Sequence, residues 1–486
     1  MFRRNQYLLV TLLRRLEVFD AVPMTTKRLI ISVAFAIAIA VGSWKLGLGI
    51  AESPESGLTV LVSIIPLAIC VWIILRDKAN RAFLLRVFAV AIVLRWGLAY
   101  IIYSRHLQNF FGADASTFDS VGDVLARAWH GLGESPYLTL YMNRSRPGWG
   151  MLYYVGSVYY VIGRDQLALQ FINCAVGAAA CIAVYKIARM VYPSERVART
   201  SSILIALSPS MILWSSQLLK DAPIVLILCL CTLYALKLRD KFSVKTLLLL
   251  IVFLFCLYSL RNYAFYVMFV AIGGSLLLTA KKLTPLRILQ SSLAVIVMGV
   301  ALAYVGAANV SQENLDLKRI QFGRAWSAKV SNTGFGGDVD ITDPKAAISF
   351  MPVGLLYVLF APFPWTISNL RQLITLPELL VWWALVPMLL KGYIFAIRRR
   401  LKESLAICVF TLALPMAYAL FQTNAGTAYR HRAQLYVFFV IFISIGIELR
   451  REAKLKRWAA FPVGERAFAT IGSSQLAGAR ISPETR

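Results

Sequence analysis

The stretch "LALQFINCAVGAAACIAVYKIARMVYPSERVAR", Leu167–Arg199, decides how this chain folds. It is uncharged from Leu167 to Tyr185, close to the roughly 20 apolar residues that cross a bilayer as a helix. It then runs into Lys186, Arg189, Arg196 and Arg199. Basic residues just beyond an apolar run mark the cytoplasmic side. Leu167–Ile187 is therefore expected to cross inward, and every neighbouring run must alternate around it.

The rest of the chain has the same character. Of its 486 residues, 59% are hydrophobic and 15% charged, with a mean hydropathy of +0.67. A soluble domain carries about 25% charged residues, and a membrane β-barrel would show short alternating strands. The expected fold is an all-α polytopic membrane protein. The net charge of +27 lies at the ends of apolar runs, as in "RDKANRAFLLR", "LKLRDKFSVK" and "AIRRRLK". That placement faces anionic membrane lipid. It excludes nucleic acid as a partner, since no basic–aromatic module accompanies it. Cys70, Cys174, Cys181, Cys229, Cys231, Cys256 and Cys408 all lie in apolar runs, which implies neither a disulfide framework nor a zinc site.

Placing basic clusters inside gives about 12 spans: Leu29–Gly49, Leu58–Leu75, Leu84–Tyr103, Leu167–Ile187, Ser201–Leu218, Pro223–Lys237, Leu247–Leu260, Ala264–Ala280, Leu289–Gly306, Leu379–Ala396, Leu405–Phe421 and Leu435–Leu449. Parity leaves Gly148–Gly163 and "SFMPVGLLYVLFAPFPW" (Ser349–Trp365) as two partly inserted outer-face segments. Three parts follow: a cytoplasmic amphipathic N-terminus (1–28), a transmembrane domain (29–450) with outer loops 104–166 and 307–376, and a basic cytoplasmic tail (451–486). The N-terminus lacks a cleavable small-residue site. The expected location is a bacterial inner membrane with both termini in the cytoplasm.

This topology gathers the charges that break the positive-inside pattern on the outer face. They are Asp114, Asp119 and Asp123 in "NFFGADASTFDSVGDVLARAW", Arg144 and Arg146, Lys220 and Asp221, Arg261, and Arg430, His431 and Arg432 in "TAYRHR". Asp114 reads either as a helix cap or as a general base at the membrane–water boundary, where partial desolvation tunes a carboxylate. Lys220 and Asp221 form either a mutual ion pair or a contact to phosphate or metal. Arg430 and Arg432 either snorkel or grip a phosphate in bidentate fashion. Arg95, inside a span, reads either as a further member of an anion site with Arg146 and Arg261 or as the buried partner of an aspartate.

At these residues the chain resembles the GT-C superfamily of integral-membrane glycosyltransferases. It is similar to bacterial relatives of the dolichyl-phosphate-mannose protein mannosyltransferases and of the lipid A aminoarabinose transferases. "DASTFDSVGDVLARA" supplies the early outer-loop Asp, Asp114, with Phe118 and Ala126 after it. "SRPGWGMLYYVGSVYYVIG" supplies a basic–proline step at Arg146 and Pro147. "ILIALSPSMILWSSQLLKDAP" supplies a helix ending at Asp221. The resemblance covers about Asn109–Leu238. It implies sugar transfer, with inversion, from a polyprenyl-phosphate-linked donor to a lipid or polysaccharide acceptor at the outer face, in cell-envelope or exopolysaccharide biosynthesis. It makes Asp114 the catalytic base or its partner, with Asp119 the secondary candidate. Lys220, Arg261, Arg430, His431 and Arg432 are then donor-phosphate contacts. Arg146 and Tyr153 are contacts of the acceptor or substrate. Asp221 sits near the donor phosphate or holds a divalent metal, the one cofactor considered. Ala115 stands where the family commonly has Glu, which removes half of an Asp–Glu metal pair.

The alternative reading is an O-antigen ligase or polysaccharide polymerase acting on lipid-pyrophosphate glycans through His431 and the arginines. A third is a transporter or flippase, which would show two related halves; the sequence has no such repeat. The segment "SNTGFGGDVDITDP", Ser331–Pro344, lacks the spacing of a calcium loop and reads as a flexible cover.

Overall fold

A computed structural model describes residues 56–133, 148–279, 285–304, 306, 317–331, 333–367 and 369–460. The expected first span, Arg144, Arg146 and most of both terminal parts lie outside them. Among the described residues the chain is helical, with a single isolated bridge between Gly334 and Asn424.

The helices are α1 (Ser56–Leu75), α2 (Arg81–Ser104), α3 (Gln108–Phe111), α4 (Asp114–Trp129), α5 (Trp149–Ile162), α6 (Gln166–Val191), α7 (Glu195–Leu207), α8 (Pro209–Ser215), α9 (Asp221–Asp240), α10 (Val244–Leu260), α11 (Asn262–Leu278), α12 (Pro285–Tyr304), α13 (Leu317–Val330), α14 (Pro344–Phe360), α15 (Leu370–Arg399), α16 (Leu401–Phe421), α17 (Ala425–His431) and α18 (Ala433–Ala460). Six of them, α2, α6, α9, α15, α16 and α18, are long and apolar enough to cross a membrane. The bent pair α7–α8 adds a seventh. The apolar parts of α1, α10, α11 and α12 are shorter, and they fall where spans are expected. At 17 residues α14 equals α10 and α11 in length, so length alone does not set it apart. The other partly inserted candidate, α5, has 14 residues.

The expected span Ser201–Leu218 is not one rod. It breaks at Ser208–Pro209, and its halves meet at 56°. Proline has no N–H and its ring disfavours helical geometry in the residue before it; Ser208 is accordingly extended, with ψ 120°. Arg95 answers the break. It is fully buried within α2 and pairs with no aspartate. It donates instead to the carbonyls of Ala91, Ile205 and Ala206, the last two freed at the end of α7. A helix C-terminus carries partial negative charge, so a guanidinium there is an electrostatic cap.

At the centre lies α6, opened by Asp165, whose side chain accepts from the Ala168 N–H at 2.9 Å. It packs against α2, α7 and α9. Gly177 lets α8 approach, since a Cβ there would fall 2.4 Å from the Ser215 Cβ. The segment read as a flexible cover is fastened down. Phe335 N–H donates to Thr423 O, Ala425 N–H to Thr333 O, and buried Arg324 grips the carbonyls of Leu420 and Gly336. Of its acids, Asp343 caps α14 and Asp340 accepts from Thr342 N–H. This clamp fixes the residues that lead into α17.

Candidate active site

After α8 the chain turns through Ser216–Lys220 before α9. Two carbonyls of this turn, Gln217 O and Leu219 O, each accept from the Asn173 amide at 2.9 Å. Asn173 thus ties the turn to the central helix. The turn delivers Asp221, only 1% exposed, as the first residue of α9.

Arg430 lies near the end of α17, whose start is capped by the Asn424 side chain. Its guanidinium joins two acids distant in sequence. Nε donates to Asp221 Oδ2 at 2.6 Å and Nη1 to Asp114 Oδ2 at 2.8 Å. Asp114 is the first residue of α4 and makes no helix cap, so its carboxylate is available for this pairing. Asp221 pairs with Arg430 rather than with its neighbour Lys220. Arg261 sits in the break between α10 and α11, 3% exposed, with Nε and Nη1 lacking partners. Arg430 Nη2 and Asp221 Oδ1 are likewise buried and unpartnered. Buried polar groups normally find partners; unmet donors beside unmet acceptors mark a place built for something else. Lys220 belongs to the same cluster. A Cβ on Gly148 would stand 2.7 Å from its Nζ and 3.6 Å from Leu260 O, and Gly148 has φ +92°, which favours glycine.

The electrostatics follow from this packing. Asp114 keeps 56% of its side chain exposed; partial desolvation works to raise its carboxyl, but Arg430, Lys220 and Arg261 outweigh it and hold it below its usual value. Burial, helped by Arg261, brings the Lys220 ammonium down to about 8. Burial opposes charge on Arg430 too, but Asp221 and Asp114 overcome it and raise its value.

Residues 148–308 match the family model described as dolichyl-phosphate-mannose-protein mannosyltransferase. The match covers less than half of the chain. No curated protein matches. Solved structures similar to the chain include the Archaeoglobus fulgidus oligosaccharyltransferase in the apo form, at 13% identity and a TM-score of 0.39. A second is the archaeal oligosaccharyltransferase AglB from the same organism with an inhibitory peptide and a dolichol-phosphate, at 12% identity and a TM-score of 0.41. Each comparison covers 80% of this chain and 54% of the other; the chain spans about half the length of these structures.

Not every candidate from the GT-C resemblance joins the cluster. Asp119 is buried elsewhere, accepting from the Tyr159 hydroxyl at 2.5 Å and Arg164 at 2.6 Å. It fastens α4 to α5. Asp123 pairs with Arg127 and Arg164. Arg432 points away from the acids. It donates to the carbonyls of Val358 and Ala361 at the end of α14 and lies 5.4 Å from the Tyr429 ring. His431 stacks on Tyr418 and bonds to Gln422. Burial, with Arg261, Arg430 and Lys220 nearby, keeps it well below the usual histidine value, so it is neutral. Tyr153 stands among Trp149 and Trp129 on the α4–α5 hairpin. Sequence reasoning missed Asn173 and Gly148. Their signals are an amide inside an apolar helix and a glycine directly after a proline.

The same geometry weighs against a divalent metal. Arg430 already fills the space between the two carboxylates, and Lys220 and Arg261 add positive charge beside them. Among the described residues no third ligating side chain joins Asp114 and Asp221. A dication needs several oxygen ligands and would meet three cations here.

Proposed function

We propose that the chain is a glycosyltransferase of the outer membrane face. It moves a sugar from a polyprenyl-phosphate-linked donor to a lipid or polysaccharide acceptor, in bacterial cell-envelope or exopolysaccharide biosynthesis. The observation that carries this reading is Arg430 bridging Asp114 and Asp221, with buried unpartnered nitrogens on Arg430 and Arg261 and the charge of Lys220 nearby.

The chemistry suits such a site. The acceptor hydroxyl oxygen attacks the anomeric carbon as the bond from that carbon to the phosphate oxygen breaks. Its proton passes to Asp114, and the bonding pair leaves with the lipid phosphate. The donor is a phosphodiester with one negative charge, and the leaving monoester gains a second. Cations that meet this growing charge stabilise the transition state more than the ground state. Lys220, Arg261 and Arg430 take that role, and Asp221 holds Arg430 in place. When Arg430 turns toward phosphate, Asp114 loses the partner that suppresses its basicity and becomes an effective base. On this reading no metal takes part, because the guanidinium occupies the place of one.

The ligase alternative needs a reactive His431, and a buried, neutral, stacked imidazole does not suit that role. The test is transfer in membranes from labelled polyprenyl-phosphate sugars by wild type, Asp114→Asn and Asp221→Asn. The expected result is loss of transfer in both variants. Transfer that survives both changes refutes the proposal.

A further inference from the structure

Glu378 is a lone acid inside the apolar helix α15, and neither the sequence reading nor the proposed chemistry uses it. Its carboxylate accepts four hydrogen bonds. Oε1 takes the hydroxyls of Ser208 at 2.8 Å and Ser210 at 2.7 Å. Oε2 takes the Ser210 N–H at 2.9 Å and the Tyr429 hydroxyl at 2.5 Å. The group borders a cavity of about 320 Å³ whose other walls include Leu207, Leu385 and Trp382. A carboxylate beside apolar walls is costly unless it is held or used.

What Glu378 holds is the informative part. Ser208 and Ser210 flank the break between α7 and α8, and α8 leads through a few residues to Lys220 and Asp221. Tyr429 immediately precedes Arg430. Its ring also meets Trp214 of α8 edge-on at 6.3 Å, and Arg430 lies 5.8 Å from the same indole. One carboxylate therefore stands behind both halves of the cluster. On the far side of the break, Arg95 holds the last carbonyls of α7. The kink is gripped from both sides by opposite charges, each suited to the backbone groups it meets.

We infer that Glu378 is a positioning residue of the active site: by binding Ser210 and Tyr429 together, it sets the separation of the Lys220–Asp221 turn from Arg430. The inference rests on the reading of that cluster as a lipid-phosphate site. Charge-assisted hydrogen bonds are among the stronger ones, and a buried network loses more than one contact when its hub goes.

The test uses the full chain in lipid nanodiscs, with polyprenyl phosphate as the probe and hydrogen–deuterium exchange as a readout independent of it. Glu378→Leu is expected to lose about tenfold or more in affinity, the equivalent of one charge-assisted bond. Exchange should quicken in residues 208–221 and 425–432 together, while α6 keeps its protection. Glu378→Gln, which still accepts from the Ser210 N–H, is expected to recover most of the affinity. Tyr429→Phe should loosen 425–432 alone, and added to Glu378→Leu it should cost little more. If Glu378→Leu fails to fold, Ser210→Ala beside Tyr429→Phe carries the contrast: each removes one hydroxyl from Glu378 and should lower the affinity, and wild-type affinity in both overturns the inference. Wild-type affinity in Glu378→Leu, exchange in that variant that quickens in only one of the two segments, or additive effects of the double change overturn the inference. Failure of wild type to bind polyprenyl phosphate sinks the lipid-phosphate reading instead, and the exchange pattern still decides whether Glu378 couples the two segments.

Discussion

Arg430 and Arg432 stand two residues apart, the first mostly buried and the second fully so, yet they serve opposite ends. Arg430 bonds to two carboxylates and keeps one nitrogen unpartnered. Arg432 bonds to the carbonyls of Val358 and Ala361, as Arg95 does at the α7 break and Arg324 at Leu420 and Gly336. A guanidinium on backbone carbonyls closes a helix end, and its work is done when the chain is folded. A guanidinium on side-chain acids can exchange partners when a ligand arrives. The partner type separates a structural arginine from a functional one better than burial does.

The sharpest way to break this comparison is to make the same change at both positions. Arg430→Lys is expected to cut transfer about a hundredfold, since one ammonium cannot reproduce a fork spanning two acids. Arg432→Lys should leave transfer within a few fold and cost about 1–3 kcal/mol of stability, the usual cost of unmet buried groups. Both are read from initial rates and thermal unfolding, and a large rate effect at Arg432 would undo the distinction. Next in size, Lys220→Met should cut the rate at saturation about tenfold, with a smaller loss of donor binding; an unchanged rate at saturation would remove Lys220 from the cations that meet the growing charge.

A smaller effect appears with pH. Because the Lys220 ammonium titrates near 8, affinity for polyprenyl phosphate should hold below that pH and fall above it. Stability of the ligand-free chain should move the other way. An unfolded lysine titrates near ~10.4, so between about 8 and ~10.4 the unfolded chain binds more protons and this group's contribution to stability rises with pH. Parallel pH trends in binding and stability would refute this assignment. The smallest effect expected is from chelation: EDTA should leave transfer unchanged, and loss restored by a divalent cation would put a metal back in the site.

The grouping of the site was legible because it rests on charge at the ends of apolar runs. That rule alone put Asp114, Lys220, Asp221, Arg261 and Arg430 on one expected side, and the structure brings them together. The rule gave no helical phase. In "TAYRHR" nothing separates Arg430 from Arg432, yet two residues on an α-helix point about 200° apart, toward the acids in one case and the α14 carbonyls in the other. Asp119 was misleading for a related reason: three nearby aspartates look alike until the faces of α4 are assigned, and only Asp114 meets Arg430. Arg95 seemed to need an acid because sequence shows charges but not the carbonyls that a proline break exposes. Glu378 carried the plainest overlooked signal, an acid inside an apolar run.

The salt bridge from Arg430 to Asp114 has one more consequence, for the timing of turnover. With Asp114 and Asp221 ionised against Lys220, Arg261 and Arg430, the empty cluster carries one excess positive charge. A phosphodiester cancels it. During the proposed transfer the total stays at zero, since the proton released by the acceptor remains on Asp114. Only when Asp114 sheds that proton does the product-filled site become negative and begin to repel the lipid phosphate. The return of Arg430 from the phosphate to Asp114 restores the ion pair that lowers the acid's hold on its proton, so reforming that pair and expelling the spent carrier belong to one step.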